Sequence, residues 1–213
     1  MCANYRPVPR SLLEQYFAVS PPAAEYQPES WPGYQAPIIR ADSQGGRVCQ
    51  LARFGLIPYW ARDAAISRKT YNARSETAAE RPSFRHAWHR GQYCLVPMAA
   101  FYEPSWESGS AVRWRIELTS GACFAVAALW ESWKNPATDM AELSFSMLTV
   151  NADEHPLMRR FHRPRSEKRM VVIIPPEEYD DWLHATAAFA GTFLQGYPAE
   201  RLAAEPQPRV VSE

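Results

Sequence analysis

Lysine is scarce in this 213-residue chain. Lys69, Lys134 and Lys168 are its only three lysines, so nearly all of its positive charge is arginine. The 23 basic side chains balance 23 acidic ones, and a formal charge of zero argues against a generic binder of polyanions. Cysteine is also sparse. Cys2, Cys49, Cys94 and Cys123 are far apart, form no Cys-x-x-Cys pair and have no histidine at metal-ligand spacing. That pattern speaks against a zinc site and against a disulfide framework, and no metal or other cofactor is expected. No apolar run has the length of a signal-peptide core or a membrane span, so a cytoplasmic protein with no membrane partner is expected. Internal repeats and a regular β-α-β rhythm are missing as well.

What is present reads as one domain. Ser11 is placed to cap a short helix with Leu12, Leu13, Tyr16 and Phe17 on its apolar face, and Ser83 another with Phe84, Ala87 and Trp88. Segments 36–41 and 47–54, separated by Gly45-Gly46, read as a strand pair, with Pro37 at the start of the first. Further strands are expected at 93–103, 112–118, 122–130, 143–150 and 169–174, and Pro175-Pro176 opens a last amphipathic helix. The expected fold is α+β, a curled and largely antiparallel sheet with short peripheral helices. It should occupy residues 1–197, and the composition of 198–213 reads as a flexible tail.

Several residues carry chemistry beside a plainer reading. Removal of Met1 would leave Cys2 with a free amine, a 1,2-aminothiol able to condense with an aldehyde and close a thiazolidine ring. Otherwise Cys2 is a small residue in second position. Asn72 and Arg74 lie two apart in an extended segment and share a face, toward either a cleft or local loop contacts. Glu103 ends the apolar run that starts at Tyr93. Buried there, it becomes a usable acid or base; emerging into solvent, it is an ordinary carboxylate. Trp60, on a proline-stiffened loop, is either a core anchor or a platform for an unpaired base. Arg159, Arg160, Arg163, Arg165, Lys168 and Arg169 form a cluster that reads as a solvated loop or a phosphate-binding rim.

Taken in order, Cys2, the Asn72-Ala73-Arg74-Ser75-Glu76-Thr77 stretch, Cys94-Leu95-Val96-Pro97 with Phe101-Tyr102-Glu103, and Phe161-His162 resemble the SRAP family. These are the SOS-response-associated peptidase or abasic-site-processing proteins, and the resemblance runs over roughly residues 2–185. Gly55-Leu56-Ile57-Pro58 with Trp60-Ala61 is similar to another family segment, with Phe54 where the family has Trp. The resemblance implies a single SRAP-like domain that recognises abasic sites in single-stranded DNA during the DNA damage response. The N-terminal cysteine would join the ring-opened sugar covalently, with strand-cleaving lyase chemistry as a side path. It implies Cys2 as nucleophile, Asn72 holding the N-terminal segment, and Arg74 on a phosphate. Glu103 would move protons and His162 act at the sugar, while Trp60 and Pro37 would contact and splay the DNA. A monomer in a bacterial-type cytoplasm, at the nucleoid when acting, is expected, with no obligate protein partner.

The chain departs from the family pattern where Cys2-Ala3-Asn4 replaces Cys-Gly-Arg, where Pro104 follows Glu103 with Trp106 two residues on, and in a longer segment after His162. Arg163, Arg165 or Arg169 is the candidate to replace the missing arginine contact. Two rival readings are an N-terminal-nucleophile cysteine peptidase using Cys2, Glu103 and His162, and a passive single-strand-binding module using Trp60 and the arginines. Offering abasic DNA and peptides separately discriminates the first, and comparing intact with abasic oligonucleotides the second.

Overall fold

The computed structural model describes residues 2–208, and among them the strands join into one sheet. Its strands in chain order are β1 (Asn4–Pro7), β2 (Gln35–Ala41), β3 (Arg47–Phe54), β4 (Asn72–Arg74), β5 (Tyr93–Ser105) and β6 (Val112–Leu118). They continue with β7 (Phe124–Lys134), β8 (Ala141–Asn151), β9 (Arg169–Val171), β10 (Ile173–Ile174) and β11 (Leu202–Pro206). The spatial order β10-β7-β8-β3-β2-β5-β6-β11 has an additional pairing between β5 and β7. That pairing closes β7, β8, β3, β2 and β5 into a barrel-like ring, whose interior needs no edge protection. Pairing is antiparallel except where β3 and β4 run parallel to β8. The expected α+β fold with a curled, largely antiparallel sheet is what the chain forms.

β5 organises the ring because it is long and apolar enough to be buried along most of its length. Its first half pairs with β7 and its second half with β6, while β1 lies along its middle from Met98 to Tyr102. The β2–β3 hairpin turns at Gly45, where φ is 82° and glycine carries no Cβ penalty. The Asp42 side chain accepts from the Gln44 and Gly46 amides to fix that turn. Inside, Phe54 stacks on Phe145 at 5.2 Å and meets Tyr5 and Tyr71 edge-on.

The helices are short: α1 (Leu13–Phe17), α2 (Arg85–His89) and α3 (Tyr179–Leu183). α3 buries Tyr179, Trp182 and Leu183, and the Trp182 indole donates to the Cys94 carbonyl at 2.9 Å. Neither serine caps a helix. Leu12 and Phe84 stand at the N-caps of α1 and α2 without a side-chain bond, since a 3₁₀ turn at Arg10–Leu12 delays the first helix. The boundary expected at residue 197 is also displaced. Leu202–Pro206 forms β11 on the open edge of β6, where ladder hydrogen bonds outweigh a composition that reads as tail. Residues 209–213 of the expected tail lie outside the described residues. No helix among those described is long and apolar enough to cross a membrane.

Candidate active site

The site lies where β1 runs along the second half of β5. Asn4 pairs with Tyr102 and Tyr5 with Phe101, which brings Cys2, two residues before β1, to the end of the strand that carries Glu103. Cys2 is buried, its Sγ lying 3.5 Å from the Asn4 carbonyl. Burial pushes its thiol well above the ordinary range, and the nearby Glu103 charge adds to the rise.

Glu103 is the exception on an apolar strand, and it is buried. Desolvation raises its carboxyl to about 7. His162 reaches it from the far side of the sequence: Nε2 stands 3.0 Å from Glu103 Oε2, with both side chains buried. The connection is built from the backbone. Phe161 bridges Ser105, and the His162 amide donates to the Pro104 carbonyl at 2.8 Å. His162 itself has φ 65°, a left-handed conformation that histidine adopts at some cost and that these contacts hold. Desolvation lowers its imidazole to about 4, and the positive charge of Lys168 acts in the same direction. Lys168 also donates to the His162 and Arg163 carbonyls, tying down the loop behind the ring. Near neutral pH the pair therefore holds a neutral imidazole beside a carboxyl poised to gain or lose its proton.

Asn72 and Arg74 sit on β4, in the extended segment expected of them. The Asn72 amide donates to the Tyr71 carbonyl at 2.9 Å, while its buried Oδ1 has no hydrogen-bond partner among the described residues. A buried acceptor left open beside a cleft suits a ligand or a bound water. Arg74 is half exposed and pairs with Glu167 at 2.7 Å. Both residues line a cleft of about 450 Å³ with Lys69, Arg81 and Pro82. Glu76 of the same stretch takes both Nη groups of buried Arg169 at 2.8 Å.

Trp60 is exposed at 48% and donates to the Pro82 carbonyl, so it is no core anchor. Pro37 is different. It is buried within β2 opposite Leu51, on a strand stretch that β5 does not yet cover, where the missing N–H is tolerated. It offers little surface for splaying DNA. Of the three arginines considered as replacements for a phosphate contact, Arg169 is excluded by burial between Glu76, Glu167 and Thr149, whereas Arg163 and Arg165 are exposed. The Arg163 guanidinium lies 5.4 Å over the Trp106 ring, so that tryptophan is occupied by the longer loop.

The sequence reading missed three participants. Tyr71 feels the charges of Glu103 and Cys2, after burial, in the rise of its phenol. Arg113 donates twice to Asn4 Oδ1, at 3.1 and 2.8 Å, and Glu29 holds both Arg113 and the Asn4 amide. Asn4 thus fixes the N-terminal strand. Nothing local in the sequence signals partners so far apart. Among the described residues no group of three or more His, Cys, Asp or Glu side chains is placed to hold a metal.

A family model described as SOS response associated peptidase (SRAP) matches residues 1–213. The chain belongs to the SRAP family. It is 33% identical over 177 residues to the abasic site processing protein YoaM of Bacillus subtilis (strain 168), covering 81% of this chain and 71% of that one. A crystal structure of a protein from Bordetella bronchiseptica is similar with a TM-score of 0.91 and 40% identity, covering 98% of this chain and all of that one. A second, from Bacteroides thetaiotaomicron, has a TM-score of 0.80 at 22% identity over 96% of this chain and 91% of that one, and bears on the fold alone.

Proposed function

We propose that this SRAP protein recognises abasic sites in single-stranded DNA and captures them covalently through Cys2 once Met1 is removed. The observation that carries the reading is the buried Glu103–His162 pair at 3.0 Å beside a cysteine at position 2. The name of its relative YoaM, an abasic site processing protein, supports the same substrate.

The open-chain form of an abasic sugar carries an aldehyde. His162 and Glu103 supply and accept the protons of ring opening. The Cys2 amine then adds to the aldehyde carbon and water leaves, giving an imine. Addition of the Cys2 sulfur to the imine carbon, with its proton passing to nitrogen, closes the thiazolidine. Glu103, with a carboxyl near 7, is suited to both taking and returning a proton at neutral pH. β-Elimination from the imine would give lyase activity as a side path. Arg74, Arg81 and Lys69 around the cleft would hold the phosphates of an unpaired strand, and Trp60 would take a base. The protein would act as a cytoplasmic monomer.

A peptidase reading has less support. Amide cleavage would start at the Cys2 thiolate, which burial and Glu103 disfavour, whereas capture starts at the amine and calls on the sulfur only after the imine has formed. Mass spectrometry of the mature protein with abasic single-stranded DNA tests the proposal. Loss of Met1 and addition of the oligonucleotide are expected for wild type, and Cys2→Ala should give no heat-stable adduct. A stable adduct in that variant, or turnover of peptides without capture, would sink it.

A further inference from the structure

Beyond the cleft of Asn72 and Arg74 lies a second groove that the capture chemistry does not use. It encloses about 270 Å³ between the loop after β3 and the outer side of α2, with Tyr59 and Trp60 on one side and Arg85, His86, His89 and Arg90 on the other. Pro82 borders both this groove and the cleft, so the two adjoin at that residue.

Its lining has the two properties that unpaired nucleic acid selects. Tyr59 and Trp60 are exposed at 56% and 48%, on a chain whose other tyrosines and tryptophans, Tyr34 apart, are buried or partly buried. Tyr59 is not loose. Its ring rests on the His86 imidazole at 4.3 Å, and His86 is itself fixed by buried Glu131, whose Oε2 lies 2.7 Å from Nδ1. Gln92 donates to the other oxygen of that carboxylate. A surface ring is thereby held by a bonded stack reaching into the interior, which lowers the entropy cost of receiving a planar ligand. Charge is the second property. Among the described residues lining the groove there is no carboxylate, and the exposed guanidiniums of Arg85 and Arg90 enter no ion pair with a described carboxylate.

The geometry points to this groove as a subsite for a flanking stretch of single-stranded DNA, one unpaired base stacking on Tyr59 and its phosphates meeting Arg85 and Arg90. It rests on the reading of the cleft as a DNA site and extends the bound strand past Pro82 to the outer side of α2. A strand anchored there would remain held while the slower covalent step proceeds.

Fluorescence anisotropy of the full chain with an undamaged, labelled single-stranded oligonucleotide tests the assignment. Tyr59→Ala should weaken binding roughly tenfold, the scale of one lost base stack. Tyr59→Phe should restore it, and a duplex of the same sequence should not register the change. Arg90→Ala should flatten the dependence of log K on log salt by about 0.7. Affinity of Tyr59→Ala equal to wild type overturns the proposal, and so does an equal loss on inorganic polyphosphate, which has no bases to stack. Should Tyr59→Ala fail to fold, an unchanged salt slope in Arg90→Ala overturns it independently. Undamaged DNA carries no aldehyde, so the titration is blind to Cys2 and fails or succeeds separately from covalent capture.

Discussion

The Glu103 carboxylate and the His162 imidazole stand 3.0 Å apart, both buried and drawn together across 59 residues. Burial shifts the two groups in opposite directions, Glu103 from 4.5 to about 7 and His162 from 6.5 to about 4. Linkage fixes the sign of each. The folded protein keeps a proton on Glu103 that the unfolded chain releases, so this contribution is present below about 4.5 and lost as pH rises through about 7. The unfolded chain binds a proton at His162 that the folded protein refuses, so that contribution is present above about 6.5 and lost as pH falls through about 4. The two slopes oppose each other over the shared window.

Glu103→Gln removes one of the slopes. The stability of the variant minus that of wild type should therefore rise between the ordinary carboxylate value of 4.5 and about 7, and level off above it. Denaturant midpoints of both proteins across that range check this. A difference that does not change with pH would show that Glu103 is solvated.

Arg74 already holds a carboxylate in this structure. Glu167, from the longer segment after His162, lies 2.7 Å from it and also pairs with Arg169, so it occupies an arginine proposed for a phosphate. Glu167→Gln frees Arg74 while Arg169 keeps Glu76 and Thr149. Single-stranded DNA should bind the variant a few-fold more tightly, on the scale of a surface ion pair of about 0.2–1 kcal/mol. Arg74→Ala should bind less tightly and show a flatter salt dependence. Weaker binding by Glu167→Gln would mean that the glutamate supports the DNA site.

The parts legible in the sequence are those whose signal is local. Alternation and apolar runs located most strands, and the two-residue spacing of Asn72 and Arg74 placed them on one extended segment. Glu103 stood out as a carboxylate ending an apolar run, and that contrast is what burial turns into a shifted proton. Partners contributed by distant strands were not legible. Arg113 meets Asn4 across 109 residues and Arg169 meets Glu76 across 93, through sheet pairing that no window of sequence contains. For the same reason Arg169 read as a surface cation although it is buried, and Leu202–Pro206 read as tail although an open strand edge recruits it.

Gly55 is a sharp test of how the loop bearing Tyr59 and Trp60 is held. Its φ is 118°, and a Cβ there would lie 2.2 Å from the Ser67 carbonyl oxygen, a backbone atom that cannot rotate away. Gly55→Ala combines a disfavoured backbone conformation with overpacking, for a loss of roughly 3–4 kcal/mol. A thermal midpoint lower by about 10 °C is expected. A midpoint close to wild type would show that the loop can shift away from Ser67.

Asn4 stands where the family pattern has an arginine, and its environment explains how the chain uses the change. Its Oδ1 accepts two bonds from Arg113, whose guanidinium lies 3.5 Å over the Tyr102 ring, and its Nδ2 donates to the Ser30 carbonyl. Tyr102 is also the residue whose backbone amide acts on the Cys2 sulfur. Asn4 therefore locks β1 to the strand segment that faces the thiol. Asn4→Ala strips a partly buried guanidinium of the one oxygen that accepts two of its bonds, at about 1.5–3 kcal/mol of stability. If the lock also positions Cys2, the single-turnover rate of capture on abasic DNA should fall by more than the affinity for undamaged DNA does. Destabilisation with an unaltered capture rate would confine the Asn4 side chain to supporting the strand and leave Cys2 positioned by the backbone at residue 4 and at Tyr102.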